Sequence, residues 1–80
     1  MDDIEIISRL NDIFKDLFDN ESLVITVDTV PDDIAGWDSL MHMNILSAIE
    51  EEFGFTFDMD EMIEIQNVRD MIDAIRKKAV

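Results

Sequence analysis

Along residues 3 to 18, "DIEIISRLNDIFKDLF", apolar side chains fall at Ile6, Ile7, Leu10, Ile13, Phe14 and Leu17. Steps of three and four residues are the period of an amphipathic helix that turns one stripe towards a core. Asp2 and Asp3 stand before it, where they cap free N–H groups and place negative charge at the positive end of the helix dipole. A first helix is therefore predicted over 3–18.

The period then breaks. Residues 19 to 38 contain Asn20, Asp28, Pro31, Asp32, Asp33 and Gly36, residues that interrupt regular structure. Such a length is unusual for a connection in a small domain, and long ordered loops often serve function. Leu23, Val24, Ile25, Val27, Val30, Ile34 and Trp37 are expected to pin the loop by dipping into the core. The loop ends at Ser39.

Residues 39 to 53, "SLMHMNILSAIEEEF", restore the helical period, and Gly54 follows as the residue that closes the helix. At 100° per residue, Ile45, Leu46, Ile49 and Phe53 share about a quadrant and face the core. Leu40, Met43, Asn44, Ser47 and Glu51 form a second stripe on the adjoining face. That stripe mixes apolar with polar groups and ends in acid. It either packs beneath the long loop or meets a partner, and the mixture favours the partner.

Phe55 to Phe57, "FTF", alternate too briefly for a strand and anchor a turn. Asp58 then caps a short helical piece through Glu64. A last helix follows in "NVRDMIDAIRKK", residues 67–78. Asn67 is its cap, and Val68, Met71, Ile72 and Ile75 are its buried stripe. Arg76, Lys77 and Lys78 lie at the negative end of its dipole. The fold class expected is all-α, a small bundle of three main helices plus one short helix with a long loop between helices one and two, in a single domain over 1–80.

Composition supports that architecture. A chain of 80 residues without cysteine has no disulfide or thiolate metal site to staple it, and a single histidine, His42, makes a zinc site improbable. What remains is a helical core, which 48% apolar residues with two glycines and one proline suit. The acidic start "MDDIEI" lacks the basic character of a targeting segment, and no apolar run approaches the roughly 18 residues that span a bilayer. The expectation is a cytoplasmic, monomeric protein.

The charge changes the picture most. The net charge is −14, and no Lys or Arg lies between Lys15 and Arg69, an interval that holds fourteen of the twenty acids. Such a field repels nucleic acid and anionic membranes and steers basic partners inward. It also strains the fold by self-repulsion, which salt screens.

Ser39 then poses the chemical question. Nucleophilic catalysis needs a base and an oxyanion hole, and the only histidine lies three residues on in the same helix with no G-x-S-x-G elbow. Calcium-loop spacing fails too: from Asp58 it places Met62 and Ile63 where an acid and a glycine are required, and from Asp28 it places Val30. Asp38 is the better cap, so Ser39 becomes the first helical residue with its hydroxyl unspent. A phosphate ester there would meet unpaired N–H groups and the favourable end of the dipole.

"GWDSL" followed by "AIEEEFG" at this spacing resembles the acyl carrier protein family, and the resemblance covers essentially the whole chain. It implies that a phosphopantetheinyl transferase moves 4′-phosphopantetheine from coenzyme A onto Ser39. The terminal thiol of that arm then carries acyl groups as thioesters, and the chain is a carrier that other enzymes act on. The resemblance further implies docking on the transferase and on acyl-handling enzymes through Asp38, Leu40, Met43 and Glu51. This agrees with the second stripe, and Asn44, Ser47 and Glu50 extend that candidate surface. Leu46, Ile49, Phe53, Phe57, Ile65 and Met71 would line an acyl-chain pocket, or simply form core when no chain is bound.

Two positions depart from the family pattern. Fatty-acid carriers often have acids two and five residues after the serine, where this chain has Met41 and Asn44. That leaves Glu50 to Glu52 to dominate docking and points to a carrier for a dedicated pathway. An aminoacyl or peptidyl carrier, disfavoured by Asp38, and a non-covalent acidic adaptor that never uses Ser39 remain the alternatives.

Overall fold

The computed structural model describes residues 1–79. Helix α1 runs Asp3–Leu17, α2 Ser39–Phe53, α3 Met59–Glu64 and α4 Val68–Lys78, with one short 3₁₀ turn at Pro31–Asp33. The all-α class and the three-plus-one arrangement are as expected, and no strand occurs among the described residues. No helix among them is long and apolar enough to cross a membrane.

Local chemistry sets every helix start. Asp2, Asp38, Asp58 and Asn67 each lie in extended backbone and accept a hydrogen bond from the N–H three residues on. At α3 the bond is reciprocated: Glu61 accepts from the Asp58 N–H at 2.9 Å while donating its own to Asp58 at 2.8 Å. That N–H first, and then the Lys78 ammonium, hold the Glu61 carboxyl below the usual carboxylate range. Glu61 therefore stabilises the fold above the pH at which free carboxyls titrate. That contribution is lost as pH falls through its lowered folded value. Gly54 ends α2 in the left-handed conformation (φ 78°), which a side chain would strain.

Helix α1 packs against α2 and α4. Ile6, Leu10 and Phe14 from α1, Ile45, Leu46 and Ile49 from α2, and Val68, Met71, Ile72 and Ile75 from α4 close one buried cluster. The loop joins it unevenly. Ile25 and Trp37 are buried and Leu23, Val27 and Ile34 are half-buried, but Val24 and Val30 point outward, exposed by 69% and 39%. The expectation that all seven apolar loop residues dip into the core is corrected at those two. Inward and outward positions alternate along Leu23–Val27, because extended backbone turns successive side chains to opposite sides.

Asn11 holds this loop. Its amide donates to the Ile25 carbonyl at 3.2 Å, and its carbonyl oxygen accepts the Ile25 N–H at 2.8 Å. Replacing Asn11 by Ala leaves both backbone groups half-buried without these partners, so Asn11→Ala should cost about 1–3 kcal/mol. A urea titration checks this, and a loss below half a kilocalorie would refute the clamp.

Candidate functional site

The segment before α2 is built to present one residue. Gly36 has φ 90°, which lets the chain turn sharply, and Trp37 then drops into the core. Its ring meets Phe14 edge to face at 5.2 Å. Asp38 caps α2 through the Met41 N–H at 2.8 Å, which leaves Ser39 exposed as the first helical residue.

Beside Ser39 opens a groove of about 490 Å³, with Pro31 and Trp37 from the loop, His42 and Met43 from α2, and Met62 and Ile63 from α3 among its lining. Of the six residues expected to line a pocket, only Ile65 touches it. Leu46, Ile49, Phe57 and Met71 are buried in the closed core, the arrangement expected of them when no acyl chain is bound. Phe53 is half-buried at the far end of α2, about 21 Å along the axis from Ser39 at 1.5 Å per residue, beneath the Arg9 guanidinium. Met62 and Ile63 could not be found from periodicity, because their position depends on the turn before α3.

His42 spans the floor of the groove. The Trp37 indole N–H donates to its Nδ1 at 3.0 Å, so Nδ1 is an acceptor and Nε2 carries the proton. Nε2 donates to the Ile65 carbonyl at 2.8 Å. With both nitrogens engaged, His42 has no lone pair to offer the Ser39 hydroxyl as a base.

Leu40, Met43, Asn44, Ser47 and Glu51 are all exposed, so the second stripe does not pack beneath the loop. Leu40 (73%) and Ile63 (66%) are large apolar side chains left to solvent. The acids behind them are not equivalent. Glu50 is half-buried and accepts the Phe57 N–H at 2.7 Å, tying the end of α2 to the turn before α3. Glu52 pairs with Arg9 at 3.2 Å. Glu51 makes no ion pair among the described residues and is fully available to a partner. The docking role expected of Glu50 to Glu52 would therefore fall on three acids with different local engagements.

A stability comparison separates the two roles. Glu50→Ala should cost about 1–3 kcal/mol through the abandoned Phe57 N–H, whereas Glu51→Ala should stay within about 0.5 kcal/mol. Equal losses in urea titrations would sink this distinction.

The fold also returns bases to the acidic middle. Arg69 reaches Asp28 at 2.9 Å, Arg9 reaches Glu52, and Lys78 reaches Glu61 at 2.8 Å. These pairs are exposed or nearly so and contribute little to stability. They leave the face around Ser39 without a base among the residues described there.

A small helical protein that offers an exposed serine at a helix start, beside an apolar groove and an acidic rim, has the architecture of a covalently loaded carrier. Residues 8–75 match the family described as "Phosphopantetheine attachment site", and the chain belongs to the acyl carrier proteins of that family. The solution NMR structure of the holo acyl carrier protein from Geobacter metallireducens is similar. It aligns with a TM-score of 0.81 and 38% sequence identity, over 90% of this chain and 83% of that one. No curated protein gives a significant match. The cofactor of this family is a covalently attached 4′-phosphopantetheine.

Proposed function

We propose that this chain carries acyl intermediates as thioesters on a 4′-phosphopantetheine arm attached to Ser39. The observation that carries the reading is the division of labour at the start of α2: Asp38 fills the cap, and the Ser39 hydroxyl stays exposed beside the groove. In loading, the Ser39 oxygen forms a bond to the phosphorus that bears the pantetheine. The pyrophosphate link of coenzyme A breaks, adenosine 3′,5′-bisphosphate leaves, and the serine proton passes to a base of the transferase.

The chain's own residues prepare this step without catalysing it. Helix α2 places partly unpaired N–H groups near the new phosphodiester, and the groove is wide and apolar enough for the arm to lie against. Leu40, Met43 and Glu51, with Asn44 and Ser47 between them, suit docking on the basic, partly apolar patches of a transferase and of acyl-handling enzymes. The acidic field suits a monomeric cytoplasmic carrier acting as one domain over 1–80. Asn44 in place of an acid favours a dedicated fatty-acid or polyketide-type pathway. Met41 argues less strongly for this, because its side chain is half-buried against the core.

Coexpression with a phosphopantetheinyl transferase tests the reading. Intact-mass analysis should show addition of one phosphopantetheine, and peptide mapping should place it on Ser39. An unmodified chain after treatment with several transferases of broad specificity overturns it in favour of a non-covalent adaptor.

A further inference from the structure

Helix α3 is six residues long, and none of its side chains is buried. Isolated helices shorter than about 12–15 residues are marginal in water, so the position of α3 depends on what holds its ends. At its start, Lys78 donates to the Thr56 carbonyl at 3.0 Å and pairs with Glu61. At its far end, the Ile65 side chain is buried and the Ile65 carbonyl accepts from His42. The other ring nitrogen of His42 is held by Trp37, immediately before Asp38 and Ser39. The imidazole is therefore a strut between the segment that delivers Ser39 and the end of α3.

We infer that His42 is a proton-operated latch that positions α3 at the groove beside Ser39, closed when the ring is neutral and released when it is protonated. The inference rests on the Ser39 reading only for what the groove receives. A second proton turns both ring nitrogens into donors. Nδ1–H would then face the indole N–H across the present 3.0 Å, and the ring must turn away. Turning takes Nε2 from the Ile65 carbonyl, which leaves the end of α3 without its polar anchor.

The loop contributes Pro31 and Trp37, and α3 with its C-terminal end contributes Met62, Ile63 and Gln66, all uncharged. From α2's own start comes Asp38, whose carboxylate is engaged by the Met41 N–H. No ion pair reaches His42 among the described residues. Histidines change charge within roughly pH 5 to 8, a range cells use. Release of α3 frees Met62 and Ile63 to move from the groove, so mild acid widens the site on which the arm rests.

Amide exchange by NMR on the unloaded protein at pH 8 and pH 5.5 tests the latch, with rates corrected for intrinsic pH dependence. In the wild type, exchange of Met62, Ile63 and Glu64 should rise about tenfold on acidification relative to α1, and the Trp37 indole N–H signal should move. His42→Gln keeps a donor towards Ile65 and takes up no proton, so its α3 protection should be the same at both pH values. His42→Phe removes both bonds and should leave α3 open at pH 8. Unchanged wild-type α3 exchange, or the same acid response in His42→Gln, overturns the inference. Because the protein is unloaded, failure of mass addition at Ser39 leaves this result standing, and failure of the latch leaves loading intact.

Discussion

Trp37→Ala should remove about 3–5 kcal/mol of stability, the largest loss expected from a single substitution in the segment that precedes Ser39. The indole is only 8% exposed. It contacts Phe14 edge to face, lies nearly parallel to the His42 ring with centroids 6.0 Å apart, and donates to that ring. Truncation therefore opens a core cavity, removes an aromatic pair and abandons a hydrogen bond at once. At roughly 0.05–0.15 kcal/mol per residue, a chain of this size holds about 4–12 kcal/mol in total. The variant should thus lose a quarter or more of its stability, with a fall in Tm of about 15–30 °C.

Trp37→Phe separates the causes of that loss. It keeps a buried ring against Phe14 but loses the N–H and part of the indole's volume, so its cost should be about 1–3 kcal/mol, below that of the alanine variant. Circular dichroism melts and urea titrations give both numbers. A loss below about 1 kcal/mol for Trp37→Ala would mean that the indole does not anchor the loop. The functional corollary is that phosphopantetheine loading of the folded variant at low temperature should slow, since Trp37 fixes the approach of the chain to Ser39.

Interactions within one turn were legible in the sequence; those that depend on where the chain returns were not. Asp2, Asp38, Asp58 and Asn67 could be recognised as caps because each accepts from an N–H three residues on. The buried stripes of α1 and α4 follow from helical periodicity for the same reason. The Asn11 clamp on Ile25 spans fourteen residues, and the His42 contact with Ile65 spans twenty-three. A partly buried His42 with a backbone partner can be expected from its place beside the core stripe, but which carbonyl it meets has no local signal. The Asn11 clamp has none at all, because a polar residue at a helical position looks alike whether solvent or a distant backbone group meets it.

Glu50 shows the same limit at the site. In "EEEF" the three acids are indistinguishable as letters, yet one accepts a backbone N–H, one pairs with Arg9 and one is free. The groove was hidden too, since its walls come from the loop, α2 and α3, and the turn at 54–58 sets where α3 lies. The exposed stripe on α2 could be derived because all its members share one helix.

Ser39→Ala should abolish phosphopantetheine addition while leaving stability within about 0.5 kcal/mol of the wild type. Both halves follow from the start of α2. The alanine has no oxygen on which to form the phosphodiester, and no second serine stands at a helix start: Ser8 and Ser47 lie inside helices and Ser22 lies in the loop. Stability survives because Asp38, not Ser39, accepts the Met41 N–H. Asp38→Ala should show the mirror image, costing about 0.5–2 kcal/mol through the lost cap while Ser39 remains chemically able to accept the arm. Any fall in its loading rate then measures how far the carboxylate also serves docking. Were Ser39 the cap, the stability losses would exchange places between the two variants. Were it an unused surface residue, neither the wild type nor Asp38→Ala would gain mass. Melts and intact masses on the same three proteins therefore distinguish a cap, a bystander and an attachment point.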